Sequence, residues 1–393
     1  MHKVPLESLI AQQEEMPFFS RENLEKHQLE LLNTQLKRAK AVSPFYKNYP
    51  DEVKSLEDLR TLPFITADTL RENYSKLCLS SLEELTRVRT EYTSGTSGVP
   101  KKVAYSDYDS ERTVEFFANG LAELIYPDDK VIICFPYTDE LSLGGLIANA
   151  VRRIGAVPLL PGHDKTYGEF LDIIRENGAE VFLGPPVLLL SLLRLDPDTT
   201  LKRALVSGDH CSETVLGKCE EILGTKLFPH YGLRESGLGG AYTCTAHAGM
   251  HIRENDMICE IVDEAGNVLP DEAWGELVIT TIGLEAMPLF RYKTGDFARL
   301  IGGVCPCGSS VKRLEVSGRI SKTPVMGHYE DILFNFDNII DFHISDNSVI
   351  LSVKENNSEF LSAVQKHLRG FEFSVTEAKL TARPMYTGKR RIL

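Results

Sequence analysis

The run TSGTSGVPKK, Thr93 to Lys102, packs two glycines, four hydroxyl residues and two lysines into one short segment. Backbone N–H groups, hydroxyls and ammonium groups at that density can surround a polyphosphate. Glycine is the residue that lets the backbone approach such an anion closely. The spacing is not GxxxxGK[ST], because Val99 and Pro100 stand between Gly98 and Lys101, which argues against a Walker-type loop. By composition alone the same run reads equally as a turn. A second set of residues carries metal-ligand chemistry: Cys244, His247, His251, Cys305 and Cys307. Four Cys and His donors in tetrahedral array form a closed structural Zn²⁺ site, and the expected set is Cys244, His251, Cys305 and Cys307, with His247 in reserve. Two unrelated turns with free thiols are the other reading, because spacing does not establish convergence in space.

Elements that position these residues follow from the apolar pattern. With 393 residues, 42% hydrophobic and 25% charged, the chain has the composition of a globular protein of two or three units. After Ser20, Leu29, Leu32, Leu36 and Ala39 recur at helical spacing, and Pro44 ends the helix. Thr66 or Asp68 caps a further helix. From 131 to 222 short apolar runs (131–137, 156–162, 181–186, 203–208) alternate with helical patterns (146–154, 167–177, 212–222), which predicts a buried, largely parallel sheet in an α/β core. Beyond about His251 the strands 257–263, 275–281 and 296–302 are joined by turns, predicting a small antiparallel sheet or barrel. The last seventy or so residues read as a small α+β domain.

Charge and cysteine usage remove several classes. A formal net charge of −13 without a basic stripe opposes nucleic-acid binding. The longest apolar run, 181–193, is broken by Pro185 and Pro186, so no membrane partner is expected and a cytoplasmic location is. Eight cysteines spread over a long chain do not form a secreted disulfide framework.

An ordered series of motifs spans nearly the whole chain: SPFYK at 43–47, LPFITADTLRENY at 62–74, TSGTSGVPKKVAYS at 93–106, YGLRESG at 231–237, GELVITT at 275–281, RYKTGD at 291–296, SGR at 317–319 and TGKRR at 387–391. In this the chain resembles the adenylate-forming superfamily, and within it the phenylacetate-CoA ligase-like family. The resemblance implies a large N-terminal domain, 1–318, with parallel-type α/β subdomains and a small β-barrel at about 250–318, and a small mobile α+β lid, 319–393. It implies ATP-dependent activation of a carboxylic acid as an acyl-adenylate, with release of pyrophosphate and transfer to CoA. Thr93, Ser94, Gly95, Thr96, Ser97 and Gly98 would hold the β- and γ-phosphates with Lys101 as an added cation. Tyr231 and Gly232 would flank the adenine beside the backbone of Ser207, Gly208 and Asp209, and Glu235 would hold Mg²⁺. Asp296 would accept from the ribose hydroxyls, Arg319 would reach ribose and phosphate, and Lys389 would stabilise the charge that develops in the transition state. CPCG resembles a thiolate pair seen in many of these relatives.

The chain also departs from the family. Lys101 stands where close relatives often have Thr. Ser321 occupies the hinge position that is commonly Asp or Lys, and Gly327 is the remnant of the loop that follows. Thioester formation is therefore encoded less fully than adenylation, and the acceptor stays open between CoA, a carrier-protein thiol and an amine. Tyr137 and the backbone Gly237 to Gly240 are nominated for the acyl pocket, which suits an aryl or short aliphatic acid; Tyr137 reads equally as a core residue. Expected cofactors are ATP, Mg²⁺, CoA and a structural Zn²⁺; a homodimer is left open.

Overall fold

The computed structural model describes residues 6–91, 101–320, 326–345, 347–368, 370–386 and 390. The chain divides into two compact units, one built from 1–123 with 231–320 and the other from 124–230 with 321–393.

In the first unit six antiparallel strands run in the spatial order Met257–Val262, Gly275–Thr281, Tyr292–Ile301, Arg313–Arg319, Met250–Ile252 and Ala241–Thr243. They form the antiparallel β-structure expected beyond His251. A separate antiparallel pair, Arg87–Glu91 with Lys101–Tyr105, flanks the segment that carries Thr93 to Gly98. Helix Arg21–Val42 starts at Ser20, whose hydroxyl accepts from the Asn23 N–H, and buries Leu24, Leu32, Leu36 and Ala39. Helix Ala67–Leu77 is capped by Thr66. Helix Asp107–Leu121 begins with a reciprocal capping box between Ser106 and Asp109.

The second unit is the α/β core. Its parallel strands lie in the order Phe228–Tyr231, Arg203–Val206, Val181–Gly184, Lys130–Ile133 and Val157–Leu159. The helices Leu143–Ile154, Tyr167–Asn177, Pro186–Leu195 and Glu213–Leu223 connect them. Residues 326–386 add a three-stranded sheet, Ile339–Ser345, Ser348–Val353 and Glu372–Glu377, with helices Met326–Leu333 and Ser358–His367. This is the small C-terminal α+β domain.

That domain shares one core with 124–230. The reason is visible in helix Pro186–Leu195, which buries Val187, Leu189, Leu190, Leu192 and Leu193 and so is apolar around most of its circumference. Such a helix needs cover on both sides. Strand Ile339–Ser345 supplies it, with Ile339, Ile340, Phe342 and Ile344 all buried in the same cluster. Ser191 Oγ donates to the Ile340 carbonyl at 2.7 Å, and Arg194 Nη2 donates to that of Phe334 at 2.7 Å. The first unit runs through residue 320, and 326–386 packs with the α/β core.

Among the described residues no helix is long and apolar enough to cross a membrane. Leu190 is fully buried, so Leu190→Ala is expected to destabilise the second unit by about 2–5 kcal/mol in urea unfolding, the range for large-to-small core changes; a loss under about 1 kcal/mol would contradict the shared core.

Candidate active site and metal centre

Glu235 sits in a short 3₁₀ turn, Arg234–Ser236, that the sequence closes with Gly237 at φ 73°, a conformation suited to glycine. Tyr105 reinforces the turn by donating its hydroxyl to the Arg234 carbonyl at 2.6 Å. The Glu235 side chain is 3% exposed. Its Oε1 lies 2.5 Å from Lys101 Nζ and accepts the Tyr292 hydroxyl at 2.7 Å. Burial alone would push this carboxyl up, yet the Lys101 ammonium and the Tyr292 hydroxyl outweigh it and hold the group below the usual glutamate value. The Tyr292 hydroxyl is pushed upward by burial and by the facing carboxylate, so it stays a donor.

Asp296 lies on the strand that carries Tyr292, and with Tyr292 and Thr294 it belongs to the buried alternate positions of that strand. One carboxylate oxygen accepts the Tyr231 hydroxyl at 2.6 Å; the other lies 3.1 Å from Arg319 Nε. Arg319 is the register partner of Asp296 on strand Arg313–Arg319 and also donates to the Thr294 carbonyl at 2.5 Å. Gly295 adopts φ +75°, and a Cβ there would lie 3.2 Å from Arg319 Nη1. The glycine in TGD therefore allows both the turn of the backbone and the approach of the guanidinium. Gly232 follows Tyr231 directly.

In the second unit Gly208 has φ +85°, and its missing Cβ would lie 3.0 Å from the Phe135 ring. Ser207 Oγ lies 2.8 Å from His230 Nδ1 and donates to the His230 carbonyl at 3.1 Å. Burial pushes the imidazole down to about 4, so it is neutral at physiological pH. Asp209 Oδ2 accepts the Arg390 N–H at 2.6 Å. Tyr137 is half-buried and its hydroxyl donates to Glu140 at 3.3 Å.

The four expected metal donors converge in the first unit: the ligand atoms of Cys244, His251, Cys305 and Cys307 all lie within 4.8 Å of one another. Cys244 Sγ and Cys305 Sγ are 3.8 Å apart, and Cys307 Sγ is 3.4 Å from His251 Nε2. His251 Nδ1 faces the Val311 carbonyl at 3.2 Å, which as an N–H donor would fix the tautomer that leaves Nε2 free to ligate. Pairing of strands Ala241–Thr243 and Met250–Ile252 brings Cys244 near His251. A tight turn, with Gly308 at φ +95° and its N–H donating to the Cys305 carbonyl at 2.8 Å, brings Cys305 and Cys307 to the same place. Burial pushes the Cys244 thiol up to about 12. Three thiols and one imidazole with three members buried match the donor chemistry of a closed zinc site. His247 is outside this group.

The sequence-named residues are thus gathered as Lys101 with Glu235, Tyr231 with Asp296 and Arg319, and the four metal donors. Thr93 to Gly98, Ser321 and Lys389 lie outside the described residues. Tyr292 was missed from the sequence, although its place four residues before Asp296 on one strand puts both on one face. Because the folded Glu235 carboxyl is depressed, its stabilising share is present above its ordinary value of 4.5 and is lost as pH falls through the lower folded value. The difference in unfolding free energy between wild type and Glu235→Gln, followed from about pH 7 to about pH 3, is expected to shrink on acidification; a flat or growing difference would contradict the pairing.

The AMP-binding enzyme family matches residues 88–286. Phenylacetate-coenzyme A ligase of Pseudomonas putida is 32% identical over 305 residues, 71% of this chain and 67% of that protein. The Aromatoleum evansii protein of the same name is 31% identical over 323 residues, covering 76% and 71%. In fold, the chain is similar to a 2-hydroxyisobutyryl-CoA ligase crystallised in its postadenylation state, at TM-score 0.77 and 19% identity over 100% of this chain and 94% of that one. A large α/β part and a smaller C-terminal α+β domain are common to both. The chain therefore belongs to the AMP-binding, adenylate-forming enzymes, in the family of the phenylacetate-coenzyme A ligases.

Proposed function

We propose that this chain is an AMP-forming acid–CoA ligase. A carboxylate oxygen attacks the α-phosphorus of ATP, the bond to the β-phosphate oxygen breaks and pyrophosphate leaves. The CoA sulfur then attacks the acyl carbon and AMP departs. The observation that carries the reading is the paired acceptor and cation set on one sheet: Tyr231, Asp296 and Arg319 linked at 2.6 and 3.1 Å, beside the buried Glu235 with Lys101. A carboxylate with a hydroxyl donor on one oxygen and a guanidinium on the other is pre-oriented to accept from a vicinal diol such as a ribose.

Thr93 to Gly98 would cradle the β- and γ-phosphates, and Tyr231 and Gly232 would flank the adenine. Lys389 would meet the charge that builds on the α-phosphate. Glu235 suits Mg²⁺ as a hard oxygen donor that Lys101 and Tyr292 hold ionised; that ion would supply charge neutralisation at the phosphates when bound. Arg319, half-exposed, pairs with Asp296 and presents its remaining N–H groups. Cys244, His251, Cys305 and Cys307 would hold a structural Zn²⁺ that ties the strand ends together.

The site holds the acid against the turn Gly237–Gly240. A Cβ on Gly239 would lie 2.2 Å from the Phe116 ring, so the ring packs directly on the turn, and a wall this tight suits a small acid.

ATP–pyrophosphate exchange over a panel of aryl and short aliphatic acids tests the first step. Exchange with at least one acid is expected, and thioester on adding CoA; exchange with no acid would refute the reading, while adenylate that passes only to a carrier thiol or an amine would replace CoA. Lys389→Ala is expected to retain ATP affinity and lose at least about a hundredfold in exchange rate, with an unchanged rate removing it from the chemistry. Elemental analysis of the purified chain should give about one zinc per molecule; zinc-free protein of undiminished thermal stability would contradict the metal centre.

A further inference from the structure

Arg253 is buried to 3% exposure, yet among the described residues neither Nη1 nor Nη2 has a hydrogen-bond partner. Its Nε donates to Asp256, and its guanidinium carbon stands 5.3 Å from the centre of the Phe116 ring. Asp256 is shared, because Arg112 donates to it as well and reaches on to Glu14 at 2.5 Å. Arg253 and Arg112 thus share Asp256, with Glu14 as a second partner of Arg112, and among the described residues the two terminal nitrogens of Arg253 make no hydrogen bond. A buried cation in this state is expensive unless an acceptor arrives from outside the chain.

Its surroundings say where that acceptor would come from. The Arg253 N–H donates to the Gly240 carbonyl at 2.9 Å, and Nη1 lies 3.8 Å from where a Cβ of Gly237 would be. Thr113 Oγ1, which donates to the Gly237 carbonyl at 2.7 Å, and Leu284 lie at 3.3 and 3.2 Å from the same point. The guanidinium therefore lies behind the turn Gly237–Gly240, whose only side chain is that of Leu238. It also lines a narrow cleft with Arg112, Phe116, Asn119, Tyr242 and Ile252.

We propose that Arg253 is a specificity residue that receives a second carboxylate at the far end of a short acid substrate, so that the preferred acids are short dicarboxylates. This rests on the reading that Gly237–Gly240 bound the acyl pocket. Nη1 and Nη2 form the end-on fork that takes both oxygens of a carboxylate. Phe116 and Leu284 close the space beside the glycines and limit chain length. One acid end is then free to attack ATP while the other neutralises Arg253. The same oxyanion chemistry could come from a free inorganic anion, and the test separates the two.

ATP–pyrophosphate exchange with the full chain compares acids matched in length, glutarate against pentanoate and succinate against butyrate. The wild type is expected to favour the diacid by about a hundredfold in kcat/KM, as a site built for a polar group rejects the analogue that lacks it. Arg253→Met should erase that preference with the KM for ATP unchanged. Arg253→Lys, which keeps the charge without the fork, should retain part of it. Equal use of both acids by the wild type, or an equal loss on both acids in the variants, overturns the proposal. So does pentanoate exchange that chloride stimulates in the wild type and not in Arg253→Met, which would assign the site to an inorganic anion. Calorimetric binding of glutarate without ATP keeps the two readings apart. Binding that Arg253→Met abolishes, with no exchange, would contradict adenylation and support the Arg253 site; exchange without diacid preference would contradict the Arg253 site alone; neither binding nor exchange would overturn both.

Discussion

A carboxylate taken almost wholly out of water and kept ionised is the constraint around which the first unit is organised. Glu235 is tolerated there because Lys101 and Tyr292 meet the same oxygen, and each comes from a different strand. A buried charge that lost either partner would be costly. The positions of strand Lys101–Tyr105, of strand Tyr292–Ile301 and of the turn at 234–236 are therefore fixed to one another by a single side chain. That arrangement keeps a negative group facing a cation at the place where the proposed function would balance phosphate and metal charge.

Asp296 repeats the principle with softer partners. Tyr231 ends one strand and Arg319 ends another, and the carboxylate joins them. Tyr292 connects the two carboxylate centres through the strand it shares with Asp296, so both are held on one element. Sites on strands are positioned more accurately than sites on loops. The four Cys and His donors brace the opposite end of the same sheet, where strands Met250–Ile252 and Arg313–Arg319 pair.

How much of this could be read in the sequence depends on the range of the interaction. Period-two and period-3.6 patterns reveal local elements, so the parallel strands at 130–133, 181–184 and 203–206 and the capped helices after Ser20 and Thr66 were legible. Resemblance to the family's motifs selected Glu235, Asp296 and Arg319, and ligand chemistry selected the set Cys244, His251, Cys305 and Cys307, whose convergence the sequence left open. Tyr292 and Arg253 were not selected, since their meaning depends on a partner 57 residues away or on two terminal nitrogens that make no hydrogen bond among the described residues. The union of 326–386 with the α/β core was hidden for a similar reason. The apolar run at 186–195 reads as a buried helix, but nothing local says which distant strand covers its second face.

Adenylation transfers one carboxylate oxygen of the acid to AMP, and this is the most direct test of the account. The acid that gives the fastest exchange, labelled with ¹⁸O in its carboxylate, would be turned over with ATP and CoA and the products analysed by mass spectrometry. The label is predicted to appear in the phosphate of AMP. Label in inorganic phosphate, with ADP as the nucleotide product, would show attack at the γ-phosphorus and contradict the assignment of Glu235, Asp296 and Arg319 to an acyl-adenylate site.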